Sequence, residues 1–310
     1  MFSSLKLYTG MAVLLGLAPP WMAAQDQDHP ATKPQTDPAM TAQEKKNLQF
    51  VLDWWREVIV ARHVDLAEKY QAEDYIQHNP NVPTGRAAFV KFFGARPPQP
   101  IPDKLPTPPV VTFAKADYVG LIWEREDKEP ADPSKTYRYN TFDVLRLQNG
   151  KIQEHWDSAF RDPSARPAAN SATVPAQKVV GAQTAEDKKK LAAAMAEFKD
   201  MLQYGHLELA EKYMMPTYIQ HNPNVPGGRD GFVKFMSRNR RPEPIKEEWK
   251  NPPTLTIVAG PYVMFMRDTK TKDPADPAKE YIRDHFDIVR IENGKIAEHW
   301  DEARKNPPAP

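Results

Sequence analysis

At 310 residues the chain is long for one small module and suits two domains, and 40% hydrophobic with 10% aromatic residues supplies enough apolar material for packed cores, which excludes wholesale disorder. Forty-two Lys and Arg against 41 Asp and Glu leave no net field to favour nucleic acid or an anionic membrane. The absence of Cys removes disulfides, thiolate zinc, iron–sulfur clusters and a Cys nucleophile, so any chemistry falls to His, carboxylates, Tyr or Asn.

Residues 1–24 begin short and basic, continue through an apolar run from Leu7 to Leu17 and end on small residues at Ala23 and Ala24. This pattern predicts a signal peptide cut near Ala24, hence an exported, periplasmic or secreted product with no membrane contact after cleavage. An uncleaved N-terminal anchor is the alternative. Residues 25–40 are polar and carry Pro, as a flexible leader would.

Beyond the leader the chain repeats itself. Tyr75-Ile76-Gln77-His78-Asn79-Pro80-Asn81-Val82-Pro83 recurs letter for letter at 218–226, and Asn149-Gly150-Lys151-Ile152 through Glu154-His155-Trp156-Asp157 recurs at 293–301. Six of the eight His fall in matched pairs. The spacing between copies grows from 143 (75 to 218) to 144 (149 to 293), which places one extra residue in the second copy near Arg238 to Arg241. The copies occupy residues 41–162 and 184–310, and the Ala-, Pro- and Ser-rich stretch 163–183 reads as a linker.

Each copy opens on a capping box, Thr41 with Glu44 and Thr184 with Asp187, which predicts a helix start. Leu48, Val51, Leu52, Trp55, Val58 and Ile59 form its core stripe. A short helix through Val64 to Tyr70 follows, then helical turns over Ala87 to Phe93. Four strands are predicted next, at 110–114, 118–123, 137–147 and 152–157, with counterparts at 255–258, 262–266, 281–291 and 296–301. The polar stretches 124–135 and 267–279 read as solvated loops or pocket lids. Helices followed by an antiparallel meander define an α+β unit.

Asn149-Gly150 is a preferred two-residue hairpin turn, so Gln148 pairs with Lys151. Counting back without a bulge sets Val144 opposite His155 and Phe142 opposite Asp157, all on one face, with Trp156 on the other as core or interface; Phe286, His299 and Asp301 follow in the second copy. His63 and His206 precede acidic helix starts and read as surface or capping residues.

The Tyr-Ile-Gln-His-Asn-Pro segment and the ending Phe142-Asp143-Val144 through Asn149-Gly150-Lys151-Ile152 to Glu154-His155-Trp156-Asp157 resemble the SnoaL-like proteins of the nuclear-transport-factor-2-like superfamily. The resemblance covers nearly all of each copy. It implies a cone, a curved antiparallel sheet wrapped over helices with a pocket at the wide end, and polyketide-cyclase-like aldol chemistry without metal or cofactor, with an Asp as base. Aligned with the related limonene epoxide hydrolase, the catalytic acid falls at Asp157 and Asp301 and the water-holding position at His78 and His221. That relative's Arg and second Asp on its third strand have no counterpart in the segments 119–123 and 263–266. The resemblance further implies pairing through the sheet faces, which a tandem copy supplies as an intramolecular pseudo-dimer.

The expected acid/base set is therefore Asp157, His78 and His155, repeated as Asp301, His221 and His299, with Tyr75, Tyr218, Phe142 and Phe286 as substrate-binding residues. The expected function is binding of a small, largely apolar carbonyl compound and its turnover by cofactor-free aldol or cyclase, isomerase or dehydratase chemistry. Three alternatives stand beside it: Asp157 and His155 pairing structurally with each other or with Arg146, a non-catalytic binding or scaffold protein, and a metal-dependent enzyme with a two-His, one-carboxylate site.

Overall fold

The computed structural model describes residues 30–164 and 177–306; the proposed signal peptide and most of the linker lie outside them. Both halves share one element order. In the first, strand β1 (Gln35–Thr36) precedes helix α1 (Ala42–Trp54), whose last residues continue as a π-wound segment (Trp55–Val60). Helix α2 (Ala67–Tyr70), strand β2 (Gln71–Gln77) and helix α3 (Arg86–Phe93) follow, then strands β3 (Val111–Lys115), β4 (Tyr118–Glu129), β5 (Asp132–Gln148) and β6 (Lys151–Asp157). The second half repeats this with β7 (Lys178–Val180), α4 (Ala185–Met195), α5 (Ala210–Tyr213), β8 (Met214–Gln220), α6 (Arg229–Met236), β9 (Leu255–Ala259), β10 (Tyr262–Asp273), β11 (Asp276–Glu292) and β12 (Lys295–Asp301). The sheet orders are β1-β3-β4-β5-β6-β2 and β7-β9-β10-β11-β12-β8. No helix among the described residues is long and apolar enough to cross a membrane.

Local signals act as the sequence requires. Both capping boxes close reciprocally. Asn149 and Gly150 both take positive φ (52° and 71°), as do Asn293 and Gly294, so each hairpin turns tightly. Two readings need correction, and one strand is added. The stretches 124–135 and 267–279 are not loops: β4 and β5, and likewise β10 and β11, run on together as long ladders. The motif segment Tyr75-Ile76-Gln77 is a strand, which pairs parallel with β6. The end of the leader is not free, because Thr32, Asp37 and Met40 are buried and β1 joins the sheet edge; β7 does the same at the end of the linker.

Each sheet has an inner face on its helices and an outer face on the other sheet. Inside the first cone, Val51, Trp54, Val58, Tyr75 and Phe89 pack against Val119, Leu121, Trp123, Leu145 and Ile152. Outside, Phe113, Ile122, Phe142, Val144 and Trp156 form one cluster with Ile257, Tyr262, Met264, Phe286, Ile288 and Trp300 of the second sheet. Phe142 stacks on Phe286 with centroids 5.5 Å apart and planes 4° apart. Where the second copy carries Met264, the first carries Gly120; a Cβ there would lie 2.1 Å from the Phe113 ring, so the larger Phe113 is accommodated by the smaller Gly120. The arms cross over too: Tyr262 donates to Gln35 Oε1 (3.1 Å), and in the equivalent place Lys178 Nζ donates to the Tyr118 hydroxyl (3.0 Å).

Candidate active site

A bulge decides which side chains enter the cone. Gln148 pairs with Lys151 and Leu147 with Ile152, but the register then slips at Gln153, so Arg146 faces Glu154, Leu145 faces His155 and Asp143 faces Asp157. Asp143, His155 and Asp157 consequently share the inner face, where their donor atoms lie within 4.8 Å of one another. His155 Nε2 donates to Asp143 Oδ1 (2.8 Å), whose other oxygen accepts from Trp123 Nε1 (2.7 Å). With its proton on Nε2, His155 is left to accept at Nδ1 from the Tyr75 hydroxyl (3.1 Å). Asp157 accepts from Asn79 Nδ2 at Oδ2 (2.8 Å) and from the Ala159 amide at Oδ1 (3.0 Å). Trp54 and Trp55 meet the imidazole edge-on at 5.8 and 6.3 Å. Burial among these rings, and secondarily the charge of Asp143, pushes the Asp157 carboxyl above its ordinary value against the pull of His155.

The second cone repeats the triad but changes its surroundings. His299 Nε2 donates to Asp287 Oδ1 (3.2 Å), Asn222 Nδ2 donates to Asp301 Oδ2 (2.8 Å), and Tyr218 reaches His299 Nδ1 (3.1 Å). Glu197 stands in place of Trp54, fully buried, and accepts from Tyr218 at 3.2 Å. Arg267 stands in place of Trp123 and pairs with Asp287. Burial raises Glu197 to about 7 and Asp301 to about 6. Burial works against the His299 imidazolium, but the bond to Asp287 and the charges of Glu197 and Asp301 overcome it and lift the ring to about 9. Asp287, opposed by burial yet facing Arg267 and His299, falls to about 2.

These shifts set a pH dependence. The His299 proton stabilises the fold fully below 6.5, and that contribution is lost as pH rises toward about 9. Glu197 and Asp301 act in the same direction at lower pH, fading from 4.5 toward about 7 and from 3.8 toward about 6, whereas the Asp287 contribution is present above 3.8 and lost only toward about 2. The melting temperature should therefore fall between pH 6.5 and 9. Glu197→Gln should lower the NMR titration midpoint of the His299 ring by removing one of the anions that hold its proton. A flat melting profile with an unmoved midpoint would contradict this charge assignment.

Four expected site residues turn their side chains elsewhere. His78 stacks on Trp156 at 4.7 Å and bonds to Glu154 Oε1 (2.9 Å); His221 stacks on Trp300 at 4.9 Å and bonds to Glu298 (2.8 Å). Both are on the outer face, turned away from the cones, so the joint set of His78, His155 and Asp157 does not assemble, nor does a two-His, one-carboxylate metal site. Phe142 and Phe286 turn their rings to the outer face, because the bulge moves them off the face of His155 and Asp157, although Phe142 still borders the first-domain pocket. Arg146 likewise pairs with Glu154 rather than with Asp157. Tyr75 and Tyr218 are brought to the site, but behind the imidazoles. Among the described residues, the groups able to hold a cation are Asp143, His155 and Asp157 and their counterparts Asp287, His299 and Asp301. Sequence reasoning missed Asp143, Asn79 and Trp54; the repeated Phe-Asp dipeptide and the repeated Asn after each motif His were the available signals.

Above Asp143 and Asp157 opens a pocket of about 710 Å³, walled by Trp55, Asn79, Arg125, Tyr139, Thr141 and Phe160 and closed on one side by Glu302 and Arg304 from the second half. Arg304 lies 4.9 Å from the Tyr139 ring and 3.7 Å from Asp127, while Lys305 pairs with Glu129 at 2.6 Å. The mirror contact, Arg161 to Asp273 at 3.5 Å, ties the first half to the second.

Residues 51–155 match the family model of the SnoaL-like domain. That match covers most of the first repeat, and since the second reproduces its element order strand for strand, the chain consists of two tandem α+β domains of one fold. Similar solved structures include a candidate polyketide cyclase from Bacillus cereus (21% identity, 41% of this chain and 83% of that chain, TM-score 0.28). Others are a candidate polyketide cyclase from Acidithiobacillus ferrooxidans (18%, 38% and 89%, 0.28) and a protein of the same fold and unknown function from Mesorhizobium loti (16%, 38% and 93%, 0.26). No curated protein matches the chain significantly.

Proposed function

We propose that this is an exported tandem SnoaL-like protein whose first domain binds a small carbonyl compound and catalyses cofactor-free proton-transfer chemistry of the aldol, isomerase or dehydratase kind. The observation that carries the reading is Asp157: a carboxylate held by Asn79 and the Ala159 amide in an aromatic cone, raised in proton affinity, at the floor of a pocket of about 710 Å³. Asp157 is the base; His155, held by Asp143 and Tyr75, lies behind it as a positioning residue that offsets the effect of burial on its carboxyl. Asn79, already donating to Asp157, can turn a donor toward a developing enolate oxygen. Asp301 and His299 repeat the pair, but with Asp287 matched to Arg267 their set is internally balanced, which favours a structural or secondary role.

Export rests on the composition of residues 1–24. Cleavage near Ala24 leaves the arm that carries Thr32 and β1 intact, and a mature N-terminus near residue 25 is the expected result of mass spectrometry on exported protein. The test of the activity is a screen of enolisable ketones, enones and epoxides for proton exchange or product formation, run with and without a strong chelator. Turnover that survives chelation is expected; turnover lost on chelation and restored by one divalent metal would instead support a cation held by Asp143, His155 and Asp157. No exchange on any substrate would leave a binding protein.

A further inference from the structure

We propose that the ligand of the first-domain pocket carries a carboxylate, received by Arg125, so that the substrates are small keto acids rather than neutral ketones. The inference rests on the ligand-binding reading above and deepens it. Arg125 follows Trp123 by two positions on β4, hence on the same inner face, and it lines the pocket that also exposes Asp157. Among the described residues its guanidinium meets no carboxylate. Nε donates to Thr141 Oγ1 at 3.3 Å, and the group lies 5.4 Å from the Trp123 ring.

Four of the other charged side chains around the pocket are already matched. Asp143 faces His155 (2.8 Å), Arg161 faces Asp273 (3.5 Å), Glu302 faces Arg283 (3.1 Å) and His285 (2.8 Å), and Arg304 faces Asp127 (3.7 Å). An arginine fork held by one side-chain bond against a Trp ring keeps free donors aimed along one plane, which is the geometry that binds a single carboxylate. A phosphate would call for more cations than this wall offers. The aromatic faces of Trp55, Tyr139 and Phe160 accept the rest of the ligand, and the reacting carbon is left toward Asp157. The second domain lacks the feature, with Thr269 at the equivalent position and its arginine, Arg267, consumed by Asp287.

The probes are benzoylpropionate and the isosteric benzoylpropionamide, titrated calorimetrically into the full chain. Wild-type protein should bind the acid roughly 10- to 100-fold more tightly than the amide, the range a charge-assisted hydrogen bond supplies. Arg125→Gln should erase that gap by weakening acid binding far more than amide binding, and Arg125→Lys should restore part of it. Equal binding of acid and amide by the wild type would overturn the inference and leave the carbonyl-binding reading standing. A gap that survives Arg125→Gln but falls with Arg304→Gln would also overturn it. No binding of either probe would defeat the binding reading itself and this inference with it.

Discussion

Asp157→Asn is expected to lower turnover of an enolisable carbonyl substrate by about two to four orders of magnitude, the range that a positioned general base contributes. Asn keeps the size of the side chain and can still accept from the Ala159 amide, but it has no basic lone pair to take the proton. The fold should survive, since the change removes one charge-assisted bond, that from Asn79, at a cost of about 1.5–3 kcal/mol. The pH profile separates a base from a structural group: wild-type kcat/KM should rise with pH through a midpoint above the ordinary value of 3.8, because burial raises Asp157 and only the ionised form is active. The variant should lose that limb. Asp301→Asn should leave turnover largely intact. A large fall in melting temperature for Asp157→Asn, with the pH limb unchanged in its residual activity, would place Asp157 among the structural residues.

What could be read in advance divides along a physical line. Capping boxes, the Asn-Gly turns and the helix stripe are local, and each behaved as its own few residues dictate. The duplicated motifs fixed the tandem arrangement for the same reason: identical short segments solve identical local problems. The choice of face was not local. A single unpaired residue at Gln153 carries Phe142 to the outside and Asp143 to the inside, and no propensity marks it. His78 misled because its motif forms a strand beside β6, and on such a strand neighbouring side chains alternate; Tyr75 and Gln77 take the inner face, and His78, at the strand's end, bonds on the outer one. The substitution of Trp54 by Glu197 between the copies was visible, but its consequence, a buried acid set around His299, follows only from the packing.

The second large effect concerns the seam between the two sheets. We propose that the halves are obligate partners, an intramolecular pseudo-dimer, and Phe286→Ala tests the cheapest part of that claim. Phe286 is fully buried and stacked on Phe142, so truncation should cost about 3–5 kcal/mol from lost burial and an unfilled cavity. Truncating the 47%-exposed Phe92 should cost about 0.5 kcal/mol or less by comparison. The stronger version separates the halves at the linker. Each alone would expose an apolar face containing Trp156, Phe142 and Ile122, or Trp300, Phe286 and Met264, rimmed by the unmatched charges of Arg161 and Glu129 or of Asp273 and Lys305. A face of this kind is covered or it aggregates. Each half should therefore sediment as a self-associated species or precipitate, and mixing the two should yield a one-to-one complex with a higher melting temperature than either. Charge does not choose between mixed and like pairs, because each half carries both the cation and the anion of the mirror contacts Lys305–Glu129 and Arg161–Asp273; a like pair is therefore the competitor that the mixing experiment measures. Two halves that stay monomeric, melt cooperatively and ignore each other would show the seam to be incidental, and the pocket wall formed by Arg304 would then have to be found within the first domain alone.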